Sequence, residues 1–211
     1  MSSLQLKPIV PKTVAFTIVG TSPLIQHAWS EKALRQLRMT AAERKKQPKT
    51  GRTPEEEAHA AMYRTDDGEP GFPMLAFKSA LISAAHKDLG IEKTVVRKAL
   101  FLPSNAYQSE MIAPLESESG PEMREDIVRV GAGQTDLRYR PMFIDWSVRV
   151  ILEIDEEILS EQDVVNLVNR AGFSVGVGEW RPEKGGEYGR FRFDVKAGFA
   201  TLYPDSLERV A

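Results

Sequence analysis

Residues 143–195 read FIDWSVRVILEIDEEILSEQDVVNLVNRAGFSVGVGEWRPEKGGEYGRFRFDV. Phe143 to Ile154 alternates, with Trp146, Val148, Val150 and Leu152 on one face, which predicts a half-buried strand. Ser160 to Ala171 changes to helical spacing, with a serine cap and an acid three residues on. Gly172 is expected to end that helix. A glycine-rich stretch follows, and Gly189 to Val195 alternates again, with Phe191, Phe193 and Val195 opposite Arg190, Arg192 and Asp194. The pattern is strand, helix, loop, strand. Towards the N-terminus, Thr13 to Gly20 (TVAFTIVG) is a β-branched alternating strand. Met74 to Leu89 (MLAFKSALISAAHKDL) is the clearest helix, with Leu75, Phe77, Ala80, Leu81, Ala84 and Ala85 at helical spacing and Gly90 as its stop. The order approximates βαββαβ, so the expected class is α+β with a ferredoxin-like or RRM-like core.

Two extensions interrupt that order, within one domain spanning 1–211. The first, 26–73, is basic and helical. It holds a helix over Ser30 to Gln47, a breaker-rich loop from Pro48 to Pro54, and a second helix from Thr53 to Tyr63 with a threonine cap and first-turn proline. It is expected to be mobile without a ligand. The second, 103–141, is a hairpin and loop region. Met111 to Leu115 and Asp126 to Val130 are its expected strands, outside the core. SPLIQH is expected to be a turn, Thr94 to Leu102 has a mixed pattern, and Pro204 to Ala211 reads as a frayed tail.

The 211 residues include 28 basic and 30 acidic side chains and no cysteine. Disulfides, thiolate zinc sites, iron–sulfur clusters and cysteine nucleophiles are thereby excluded. No apolar run approaches the about 20 residues of a membrane span, and MSSLQLKPIVPK lacks a secretory apolar core. A cytoplasmic protein of a bacterial or phage-infected cell is expected, with no cofactor and no metal. The net charge of −2 says little about a binding face, because the charges are segregated. Lys32, Arg35, Arg38, Arg44, Lys45, Lys46, Lys49 and Arg52 lie close together, with only Glu31 and Glu43 among them. A solvated helix face would give the same pattern.

The stretch AGFSVGVGEWRPEKGGEYGRF holds six glycines, with Arg181, Lys184 and Arg190 among them and Trp180 and Tyr188 beside them. Glycines permit positive φ and close backbone approach. Free N–H groups next to arginine and lysine suit phosphate. Gly-Lys-Ser/Thr is absent, and GVGEWR follows a helix and lacks a third glycine, so neither a P-loop nor a dinucleotide fingerprint is present. A hairpin turn with solvated charges is the plainer alternative. In GAGQTDLRYRP, Arg138 and Arg140 share one face of an extended chain with Tyr139 between them, a pattern for phosphate contacts beside a stacking ring. Ordinary ion pairs would also account for it. His27 follows the first strand, while His59 and His86 have no partner at ligand spacing.

The proline-entered helix GEPGFPMLAFKSALISAA, the loop AGFSVGVGEWRPEKGGEYGRF and the opening TIVGTSPLI resemble the RAMP superfamily of CRISPR-associated RNA-binding proteins. The likeness is nearer to the backbone subunits that polymerise along a guide RNA. Endings of the WRPEKGG type are also found in phage proteins, so a phage-encoded relative is implied. The loop here is longer and more charged than the family's usual one. The resemblance implies sequence-independent binding of single-stranded RNA or DNA, head-to-tail assembly into a filament, and other CRISPR-type subunits as partners.

Three functions follow. The first is a non-catalytic nucleic-acid-binding protein using Arg181, Lys184, Gly185, Gly186, Arg190, Trp180, Tyr188, Arg138, Tyr139, Arg140, Lys45, Lys46 and Arg52. The second is a metal-independent endoribonuclease of the same superfamily, with His27 as its acid or base. The third is a phage protein–protein module that mimics or inhibits a host CRISPR backbone through the acidic segment Glu116 to Asp126.

Overall fold

The computed structural model describes residues 8–29, 35, 37–40, 43, 53–107, 111–130 and 133–203. Among the described residues, two antiparallel sheets and four helices make a mixed α+β fold. At the centre, strand β1 (Lys12–Gly20) pairs with β8 (Ser147–Ile154) from Lys12↔Ile154 to Val19↔Ser147. The far edge of β1 takes β9 (Phe191–Phe193) and β10 (Phe199–Leu202) end to end. The far edge of β8 takes β4 (Leu100–Phe101) and β5 (Ile112–Glu116), and β3 (Gly71–Pro73) pairs with β5.

Alternation decides which face is buried. Val14, Phe16 and Ile18 of β1 and Val148, Val150, Leu152 and Ile154 of β8 lie in one apolar cluster. Two helices cover it. Helix α2 (Met74–Leu89) contributes Met74, Phe77, Leu81, Ala84 and Ala85. Helix α4 (Glu161–Ser174) contributes Val164, Leu167, Val168 and Ala171. Gly90 ends α2 in the left-handed region at φ +70°, and Ser160 with Asp163 closes a reciprocal capping box on α4. Helix α1 (Pro54–Ala60) starts as expected, on a Thr53–Glu56 box with Pro54 in its first turn. A short helix, α3 (Lys93–Ala99), resolves the mixed segment and leads into β4.

Several expectations are corrected. Met111 to Leu115 is no outlying strand: Ile112, Ala113 and Leu115 are buried in the main sheet. The hairpin is formed instead by β6 (Pro121–Val130) and β7 (Gln134–Phe143), in register from Pro121↔Phe143 to Val130↔Gln134. The expected turn at SPLIQH contains β2 (Leu24–Ile25), which pairs with the base of β7. The expected strand over Phe143 to Ile154 breaks at a bend over Ile144 and Asp145, just before Trp146. Its indole donates to the Ser22 carbonyl at 2.8 Å, in space that a side chain at Gly20 would fill.

Gly172 does not end α4. It lies inside the helix, where a Cβ would stand 1.9 Å from the Phe191 carbonyl oxygen. Glycine there is required by close helix–strand packing. Val195 lies past β9 and is exposed. The helix expected over Ser30 to Gln47 lies mostly outside the described residues; among those described it is interrupted at Met39 and Thr40, where Thr40 and Glu43 exchange capping hydrogen bonds. Gln26 is fully buried: its Nε2 donates to the Gly71 carbonyl, and its Oε1 accepts from the Tyr63 N–H, both at 2.9 Å. One side chain thus fastens both the entry and the exit of the first extension. No helix among the described residues is long and apolar enough to cross a membrane.

Candidate nucleic-acid interface

The loop after α4 folds tightly upon itself and upon β2. Gly176, Gly178, Gly185 and Gly189 have positive φ. A Cβ at Gly186 would stand 1.8 Å from the Trp180 carbonyl oxygen, and one at Gly189 1.7 Å from that of Val177. The loop's N–H groups are largely consumed by this packing. Val177 donates to Gly189, Glu179 to Ile25, Tyr188 to Trp180 and Gly189 to Pro23. An open cradle of free N–H groups, expected from the glycines, is therefore not what they build. They build a rigid shelf that carries side chains.

On that shelf Trp180 is held at φ +53°, a conformation costly for a bulky residue, and its ring is about half exposed. Lys184 is exposed on the short 3₁₀ turn Pro182–Lys184. Arg181 is turned onto Glu183, with Nη2 to Oε2 at 3.1 Å. Arg190 lies over the exposed ring of Phe173, 5.0 Å from its centroid, beside a shallow hollow of about 370 Å³ on α4. Tyr188 faces the hairpin, accepting from Arg124 Nη1 at 2.8 Å.

The hairpin arginines are not grouped with the loop cations at an open surface. Arg140 is buried and directed at Asp126, with Nη1 to Oδ2 at 3.4 Å, and Arg138 pairs with Asp136 at 3.4 Å. Tyr139 points to the other face of β7, where burial and the Glu125 carboxylate raise its phenol above the usual range. His27 Nδ1 lies 3.8 Å from Glu179 Oε1. That contact, followed by the fields of Arg140 and Arg138, holds the Glu179 carboxyl below the ordinary value. Lys45, Lys46 and Arg52 lie outside the described residues. Among the described residues no cluster of three or more histidines and carboxylates is arranged to hold a metal.

The sequence reading missed a broad concavity. A cleft of about 700 Å³ opens between α2, α3 and the loop. Lys78 and Lys87 enter from α2, Lys93 and Arg97 from α3 and Arg181 from the loop, against one carboxylate among the described lining residues, that of Glu183. Lys78 sits 4.7 Å above the Phe101 ring, and partial burial lowers the affinity of its amine for the proton. Lys93 and Arg97 are one helical turn apart and so project together. Glu183 ties the loop to α2: Oε1 accepts from Ser83 Oγ and Lys87 Nζ, both at 2.7 Å. With these donors around it, the carboxyl is held down at about 2. The signal for this cleft was the stripe Leu75, Lys78, Ser79, Ile82 and Ser83, a helix face too polar for a core.

No family model and no curated protein matches the chain. Its structure is similar to the crystal structure of Cmr6 from Pyrococcus furiosus, with a TM-score of 0.42 and 9% sequence identity, over 86% of this chain and 97% of that one.

Proposed function

We propose that the protein binds single-stranded nucleic acid through its phosphates, without base readout and without cleaving it. On this reading the strand lies in the cleft between α2, α3 and the glycine-rich loop. One observation carries it: among the described residues, five cationic side chains from three separate elements converge on one groove lined by a single carboxylate. Low-dielectric walls lined by one sign of charge concentrate a polyanion. Trp180, held exposed at the loop, offers a ring for base stacking, which tolerates any sequence. The core beneath is a ferredoxin-like βαββαβ unit, since the paired order β9/β10, β1, β8, β4/β5 with α2 and α4 on one face fits that topology. Head-to-tail assembly along the strand belongs to the same reading.

Fluorescence anisotropy with labelled single-stranded RNA and DNA of mixed and homopolymeric sequence tests this. Binding should weaken steeply with salt, because each phosphate contact releases counterions. The variant K78A/K93A/R97A should bind all sequences more weakly and flatten the salt slope by about 2, at about 0.7 per contact. R181A/K184A should also weaken every sequence alike, since phosphate contacts carry no sequence information. Salt-independent binding, or loss of preference for one sequence, overturns the reading. Sedimentation with and without oligonucleotide tests assembly. RNA should stay intact on incubation; cleavage that disappears in H27A would instead establish the ribonuclease.

A further inference from the structure

The Glu183 carboxylate has surroundings unlike those of an ordinary surface acid. Oε1 accepts from Ser83 Oγ and Lys87 Nζ at 2.7 Å each, and Oε2 accepts from Arg181 Nε at 3.3 Å and Nη2 at 3.1 Å. A lysine, a hydroxyl and a two-pronged guanidinium on one anionic group form a donor set that suits a phosphate as well as a carboxylate. The arrangement lies in the wall of the basic cleft, and the Lys87 side chain is still 55% exposed. Backbone bonds that do not involve this carboxylate also hold the loop here: the Glu183 N–H donates to the Val175 carbonyl, and the Lys184 N–H to that of Arg181.

We propose that Glu183 fills a subsite for one phosphate of the bound strand and swings out when the strand seats, handing Lys87, Ser83 and Arg181 to the phosphate. This deepens the reading of the cleft as a nucleic-acid site and rests on it. The carboxylate acts as an internal competitor: it keeps two cations arranged in the free protein and lowers affinity for the strand. A carboxylate that merely braced the loop would have the opposite effect, because its loss would loosen the shelf and weaken binding.

The test is anisotropy with a labelled oligouridylate across a salt series, on wild type, E183Q, K87A and K87A/E183Q, each checked for folding by circular dichroism. E183Q should tighten binding by at least about threefold and steepen the salt slope by up to about one contact. K87A/E183Q should lose that gain, the non-additivity expected of two groups that share one site. If E183Q fails to fold, E183D carries the test, since it draws the carboxylate back by one methylene; tighter binding is again expected. Unchanged or weaker binding in the folded variant overturns the subsite. Were wild type and variants alike to show no salt-dependent binding, the cleft reading itself would fall and this inference with it. Wild type binding with salt dependence, unaltered by E183Q, removes the inference alone.

Discussion

The Tyr107 hydroxyl accepts from the Ile151 N–H at 2.6 Å and donates to the Ile151 carbonyl at 2.7 Å. Ile151 lies in the part of β8 between the stretches paired to β4 and to β5, so a side chain satisfies what a strand would have satisfied. Burial raises the phenol well above its ordinary range, which keeps the O–H available as a donor. Tyr107→Phe keeps the ring but orphans both backbone groups, and should cost about 1–3 kcal/mol in urea denaturation. Trp180 presents the opposite case. Its left-handed backbone costs about 1–2 kcal/mol relative to a residue free to adopt it. Trp180→Gly should therefore leave stability within about 1 kcal/mol of wild type. The same variant should weaken oligonucleotide binding about fivefold or more, the value of one stacked base. Equal binding by the two proteins would mean that the strain serves the loop alone.

Helix α4 and strand β9 approach so closely at Gly172 that a methyl group must push them apart. Gly172→Ala should destabilise by about 1–3 kcal/mol, as overpacking does, despite alanine's better helix propensity. The latch between the loop and α2 has a signature in pH. The Glu183 carboxyl sits at about 2 when folded, against an ordinary 4.5. The unfolded chain thus binds more protons between those values, and stability there rises with pH. The stability gap between wild type and E183Q should be full above about pH 5 and shrink as pH falls through 4.5 towards 2. A gap constant from pH 7 to 3 would show that the charge contributes nothing. Strand β1, helix α2 and the capped starts of α1 and α4 were legible because caps and periodicity are local. The β6–β7 pairing was not, because both its faces mix charge with apolar residues, Arg124 and Asp126 with Val128 on one and Glu125 with Ile127 and Leu137 on the other. The short pairings of β2 and β10 exist only through partners distant in sequence. The basic cleft escaped for the same reason: Lys78, Lys93 and Arg97 are unremarkable singly and are brought together by the turn between α2 and α3. Scanning for runs of charge favoured Arg138 and Arg140, whose carboxylate partners a linear search does not weigh.

The chain carries a net charge of −2 yet has a positive groove, so binding should follow where charge lies and not how much there is. The pleat supplies a control. Arg149 and Arg192 are exposed and belong to the sheet face away from α2 and α4, because their neighbours Val148, Val150, Phe191 and Phe193 are buried beneath those helices. Lys93 and Arg97 line the cleft on the helical side. The double reversals R149E/R192E and K93E/R97E change net charge by the same amount. If the cleft holds the strand, K93E/R97E should lower affinity at least about a hundredfold at 0.1 M salt, through two lost phosphate contacts and two new repulsions. R149E/R192E should change it less than about threefold, since charges separated by more than the ~10 Å screening length at that salt are largely damped. Anisotropy at 0.1 M and 0.3 M salt on both variants separates the cases. Equal losses would mean attraction to the molecule as a whole, and a larger loss in R149E/R192E would move the strand to the opposite face of the sheet.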